Sequence, residues 1–149
     1  MELVQVLQGV DLFEGLSTEE LEKVAAICSK RYYRLGDVIT RQGEPGDELY
    51  IITDGFVEVV LGGRSSGSAR VVVSLGSGQI TGEMALLDQG PRSATIRAAS
   101  DPTAVQVIKR PGFEKLCQDN THIGYIVMRN LAADLSFKLR HRNLSERQA

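Results

Sequence analysis

Apolar residues change their spacing twice along this chain. In "LSTEELEKVAAICSK" they recur at helical intervals. Ser17 stands where a cap belongs, and Glu20, three residues on, completes a capping box. Leu16 and Leu21 hold the spacing of a hydrophobic staple. From Tyr32 to Lys109 the texture turns to short β-rich runs: "RYYRL", "DVIT", "LYIIT", "FVEVVL", "RVVVSL", "SATIRAA" and "AVQVIK". Gly, Asp, Ser and Pro punctuate them. Asp-Gly in "TDGF" joins two β-branched runs and predicts a hairpin. "GGRSSGSA", 62–69, predicts a flexible connection that serves as another hairpin loop. About eight short strands at this spacing predict a sandwich or a jelly-roll barrel.

Helical spacing then returns. Pro111 suits a first helical position, and "PGFEKLCQDN" predicts a short helix. "THIGYIVMRNLAADLSFKLRHRNL" follows without a proline. Its Ile123, Val127, Leu131, Leu135 and Leu139 are spaced by four, so the apolar stripe winds slowly round the helix. The basic end, Lys138 to Arg147, complements the helix dipole. The expected order is helix, β-barrel, then two helices. Over 1–149 this is one domain: a helical segment to about residue 30, a β-roll over 31–110, and C-terminal helices over 111–143.

Composition narrows the classes. With 42% apolar and 24% charged residues the chain should fold, and a net charge of −2 lacks the basic face that nucleic-acid binding needs. Cys28 and Cys117 fall in helix-like segments without metal-ligand spacing and read as buried thiols in a reducing compartment. "MELVQVLQGV" has no basic leader region, and no apolar run approaches the roughly 18 residues of a membrane span. A cytoplasmic location is expected. A metal-dependent barrel enzyme would need His and carboxylate ligands on the strands, yet His122 and His141 both belong to the last helix. No nucleophile elbow or Walker loop is present. Asp47 with Glu48, or Glu83 with Asp88, are carboxylate pairs of a kind that usually lies solvated on a surface. No metal, no cofactor and no catalysis are expected.

The stretch "ITGEMALLDQGPRSATI", 80–96, is different. Gly82 can take unusual dihedrals, and "GEMALL" reads as one short helical turn whose N–H groups, from about Gly82 to Ala85, could face an anion. "QGP" brings the chain back, so that Arg92 could point its fork at the same anion. Glu83 would then need hydroxyls beside the phosphate, which describes a sugar phosphate or nucleotide. The plain alternative is a structural salt bridge of Glu83 and Arg92 with each other, or with Asp47.

This stretch, as "TGEMALLDQGPRSAT", resembles the phosphate-binding cassette of cyclic nucleotide-binding domains, written F-G-E-[LIV]-A-L with P-R-[AT]-A-T further on. Its internal length equals that in the regulatory subunits of protein kinase A. "RQGEPGDELYIITDGFVEV" at 41–59, "RPGF" at 110–113 and the long last helix are similar to the family too, so the resemblance covers about 15–143. It implies a mainly β fold, an eight-stranded jelly-roll β-barrel with flanking helices. It implies that Glu83 accepts from the ribose 2′-hydroxyl and that Arg92 meets the cyclic phosphate, assisted by the Ala85 N–H and by Ser93, with Ala94 alongside. Gly82 would allow the backbone close to the ribose, and Asp47 would orient the arginine. Val71, Val73, Ile80 and Met84 would line the ring system or else belong to the core, and Thr81 would stand among the ligand-binding residues. Thr81 departs from the usual Phe. Ser93 stands where Ala favours cAMP and Thr accompanies cGMP, while "RSA" is the form in bacterial catabolite-activator-like regulators, which bind cAMP. The ligand expected is therefore cAMP, with cGMP as the alternative. Arg142 and Asn143 would close over the base. The resemblance implies a receptor coupled to movement of the last helix, through which a homodimer or an effector domain would connect. No helix-turn-helix follows residue 143, so direct DNA binding is not expected. A ligand-free jelly roll serving as an interaction module is the remaining reading.

Overall fold

The computed structural model describes residues 2–62 and 69–148, with side chains described as far as residue 141. The chain opens with α1 (Leu3–Gln8), a 3-10 turn (Asp11–Phe13) and α2 (Thr18–Ala26). The capping box forms: Glu20 N–H donates to Ser17 Oγ at 3.1 Å, and Ser17 N–H donates to Glu20 Oε1 at 3.0 Å. α1 and the 3-10 turn fall within the helical segment expected to about residue 30, although segments this short display no clear period of their own. Their Leu7, Val10, Leu12 and Phe13 are nonetheless buried.

α2 stops at Ala26. Cys28 opens β1 (Cys28–Tyr33) and pairs with Ile108, which corrects the helical reading of that thiol. Burial pushes its pKa up to about 12, so it stays a protonated thiol. The remaining strands are β2 (Val38–Thr40), β3 (Glu48–Asp54), β4 (Val57–Leu61), β5 (Arg70–Leu75), β6 (Ile80–Thr81), β7 (Thr95–Ala98) and β8 (Thr103–Lys109). They form two four-stranded antiparallel sheets, ordered β1-β8-β3-β6 and β2-β7-β4-β5. The fold is mainly β, a jelly roll with helices at both ends.

One expected hairpin is not a hairpin. Gly55 of "TDGF" does turn, with φ of +78°, but β3 and β4 lie in different sheets. β3 already has β8 on one edge and β6 on the other, so β4 pairs with β5 and β7 instead. The connection expected as a loop at 62–69 falls, for residues 63–68, outside the described residues. β4 and β5 on either side of it are paired antiparallel.

β3 separates two cores by strand alternation. Leu49 and Ile51 face the helices, in a cluster with Phe113, Ile123, Val127 and the N-terminal Leu7 and Phe13. Tyr50 and Ile52 face the inside of the roll, with Val57, Ile96, Val105 and Val107. α3 (Arg110–Asp119) and α4 (Thr121–Gln148) complete the helical side. Along α4 the four-spaced stripe leaves the core gradually. Ile123 and Val127 are fully buried, Leu131 is 1% exposed, Leu135 is partly buried, and Leu139 is 58% exposed. Each four-residue step overshoots a 3.6-residue turn by about 40°, which produces that drift. Asn130 fastens the helix to the N-terminal turn through Leu12 O at 2.9 Å and Glu14 O at 2.8 Å. Among the described residues, no helix is long and apolar enough to cross a membrane.

Candidate functional site

Between β6 of one sheet and β7 of the other, the chain crosses the mouth of the roll. Gly82 starts the crossing at φ +81°, in the left-handed region, and a 3-10 turn (Glu83–Leu86) follows. A Cβ at Gly82 would lie 2.8 Å from both Glu48 O and Arg92 Nη1, so glycine is required by space as well as by φ. Asp88 Oδ1 accepts from Gly90 N–H at 2.9 Å and shapes the return. Arg92 is then clamped by its backbone: its N–H donates to Glu44 O, and its carbonyl accepts from Gly43 N–H, both at 2.8 Å.

The Arg92 side chain reaches from the second sheet back to the first. Nη2 donates to Glu48 O at 3.0 Å, and the guanidinium lies 5.6 Å from the centre of the Tyr50 ring. Gly46 leaves room for it, since a Cβ there would collide with the guanidinium. No carboxylate of the described residues pairs with Arg92. Glu83 does not take it, and neither does Asp47. Glu83 Oε1 accepts from Lys138 Nζ of α4 at 3.0 Å instead.

Beneath Arg92 lies a rigid support. Glu48 binds Arg31 through two bonds, of 2.7 and 3.0 Å, and accepts from the Tyr50 hydroxyl at 2.7 Å. The Arg31 hydrogen bond holds the Glu48 carboxyl below its ordinary range, against burial, with Tyr50 assisting. Burial, then the bond to Glu48, raises the Tyr50 hydroxyl well above its ordinary value.

Gly82, Glu83, Tyr50, Arg92 and Lys138 line an open cleft of about 690 Å³, a size suited to a small ligand. One wall is the crossing segment, the floor includes Val73, Leu75 and Ile96, and the rim carries Arg92 and Lys138.

Residues 30–120 match the model of the cyclic nucleotide-binding domain. The chain belongs to the cyclic nucleotide-binding domain family. It is 35% identical over 141 residues to the cyclic AMP receptor protein of Thermus thermophilus, covering 93% of this chain and 61% of that protein. It is 33% identical over 118 residues to a cGMP-dependent protein kinase of Caenorhabditis briggsae, covering 79% of this chain and 16% of that one. Among solved structures, the catabolite activator protein of Thermus thermophilus superimposes with a TM-score of 0.80 at 33% identity, over 91% of this chain and 61% of that one. The chain therefore spans less than two thirds of these relatives' own length.

Within this cyclic nucleotide-binding domain the structure gathers most of the residues singled out from sequence. Ile80, Thr81, Gly82, Glu83, Met84, Ala85, Arg92, Ser93, Ala94 and Val73 all line the cleft. Val71 does not; it is 44% exposed on β5, where a register shift at Val59/Val60 breaks the simple alternation with Val73. Asp47 borders a smaller neighbouring cavity, and the Arg92 hydrogen bond expected of it goes to the Glu48 carbonyl. The Ala85 N–H, expected to face an anion, already donates to Gly82 O at 3.0 Å. The side chains of Arg142 and Asn143 lie outside the described residues. Among those residues no group of three His, Cys, Asp or Glu side chains could hold a metal ion.

Tyr50, Gly46 and Lys138 were missed. Alternation in "LYII" was enough to put Tyr50 on the inner face with Ile52. Gly46 lies in "GEPGD", where nothing local signals the guanidinium it must make room for. Lys138 had no local signal beyond its place three residues after Leu135, on the same helix face.

Proposed function

We propose that this domain is a receptor for a cyclic nucleotide, cAMP in preference to cGMP, and that it passes occupancy on through α4. One observation carries the reading. Arg92 is braced by Tyr50 and the Glu48 carbonyl, meets no carboxylate among the described residues, and lines a nucleotide-sized cleft beside Glu83. A braced guanidinium with spare donors suits a phosphate. Glu83 suits the ribose hydroxyl.

Support for coupling to α4 is that this helix reaches the cleft wall through Lys138. Arg142 and Asn143, further along the same helix, are proposed to cover the base. The cGMP reading rests on Ser93, whose hydroxyl lines the cleft and could meet a guanine amino group.

Isothermal titration with cAMP and cGMP tests the proposal. Binding of cAMP several-fold tighter than cGMP is expected; the reverse order favours the second reading, and no heat from either means an interaction module. Arg92→Ala should keep the fold but lose about 2–5 kcal/mol of binding, roughly 30- to 4,000-fold. Affinity within a factor of about three of the parent would remove Arg92 from the phosphate site.

A further inference from the structure

α4 brings a second cation into the cleft. Lys138 Nζ donates to Glu83 Oε1 at 3.0 Å and is held by Asp134 Oδ2, one helical turn earlier, at 3.0 Å. The Glu83 side chain is 15% exposed and that of Lys138 57%, so the pair sits at the rim with its acidic member turned inward. An inward carboxylate poses a problem for a site that must also accept a phosphate. The two negative charges would repel each other in a partly desolvated cleft, where Coulomb forces are stronger than in bulk water.

We propose that Lys138 is a positioning residue that sets ligand affinity and sugar specificity: it neutralises Glu83 toward the phosphate and fixes the carboxylate for the ribose hydroxyl. This rests on the receptor reading above. The geometry favours sharing over competition. A carboxylate offers about four lone-pair sites on two oxygens, and the ammonium uses one oxygen, leaving the other open to a hydroxyl donor. Asp134 keeps the long lysine side chain extended toward the cleft instead of into solvent. Burial alone would lower the Lys138 pKa, but the hydrogen bonds it donates to Asp134 and Glu83 outweigh that and raise it, so the ammonium remains charged. The same bridge joins the crossing segment to α4. A ligand that strengthens or weakens it must shift the helix reciprocally.

The test is titration of cAMP and 2′-deoxy-cAMP into the parent, Lys138→Met, Lys138→Arg, Asp134→Asn, Glu83→Gln and the Lys138→Met/Glu83→Gln double variant. Lys138→Met should weaken cAMP by about three- to tenfold and shrink the preference for cAMP over the deoxy ligand. Lys138→Arg should recover most of the loss, and Asp134→Asn should cost about twofold. In the Glu83→Gln background Lys138→Met should cost clearly less than in the parent, because the Glu83 charge is gone and only Asp134 remains for the ammonium to offset. Equal or tighter cAMP binding by Lys138→Met overturns the proposal, and so does an undiminished loss in the Glu83→Gln background. A parent that binds neither cAMP nor cGMP fails the receptor reading, and this inference with it. A parent that binds while Lys138→Met matches it fails this inference alone.

Discussion

β3 and β5 both carry continuous apolar runs, "LYII" and "VVV", and they end in opposite surroundings. In β3, Leu49, Ile51 and Ile52 are fully buried and Tyr50 is 2% exposed. In β5, Val71, Val72 and Val73 are 44%, 52% and 44% exposed. The difference lies in what covers each strand. β3 sits inside its sheet, between β8 and β6, with helices on one face and the second sheet on the other. β5 is the edge of the other sheet, paired with β4 alone. The sheet that holds β3 works as a platform, whereas the other sheet, though covered at Val57 and Ile96, ends at β5 in an open wall. The cleft belongs to the seam between them, and Arg92 spans that seam: its backbone leads into β7 while its guanidinium rests on β3. A site assembled this way has one stiff side and one accessible side, which suits a ligand that must enter and leave.

Substitutions at matched positions test that contrast. Ile51→Ala should have the largest effect, about 2–5 kcal/mol of stability, because it empties a fully covered site between sheet and helices. Urea unfolding measures it, and a loss below about 1 kcal/mol would mean the platform is loosely packed. A smaller effect is expected at Glu48, whose carboxyl is held low chiefly by Arg31. A depressed acid contributes stability that is present above its ordinary value of 4.5 and is lost as pH falls through the lower folded value. Since the Arg31 side chain is 38% exposed, screening limits this to less than about 1 kcal/mol. Melting curves taken from pH 6 down to 3 should show an acid-side decline that is shallower in Glu48→Gln; identical slopes would detach the Arg31 bridge from the platform's stability. The smallest effect belongs to Val72→Ala on the open wall, within about 0.5 kcal/mol of the parent. A cost approaching that of Ile51→Ala would show that β5 is covered in solution, and the contrast between the two strands would collapse.

Where sequence reasoning succeeded, the interaction was local or the motif was long. The Ser17–Glu20 box closes within one turn, and the drift of the α4 stripe follows from spacing alone. The cassette from Gly82 to Ala94 keeps its length, so its ends had to lie on one cleft. Where it failed, the deciding partner was distant. Asp-Gly in "TDGF" makes the turn but cannot choose the sheet that β4 will join. Asp47 follows the sequence pattern of an arginine's partner, yet a backbone carbonyl one residue on takes the bond.

Legible in the chain alone were the residue types of the crossing: a glycine able to adopt positive φ, a glutamate after it, and an arginine at its far end. The sequence also determined which segments would alternate and which would coil, since backbone sterics and side-chain period act over a few residues. The tertiary structure alone decided which apolar runs are covered, that Cys28 is extended, and that Lys138 meets Glu83 across 55 residues of chain. The physical reason is that cover, strand pairing and long-range ion pairs depend on atoms brought close by folding. Their energies appear only after the chain entropy of bringing them together has been overcome.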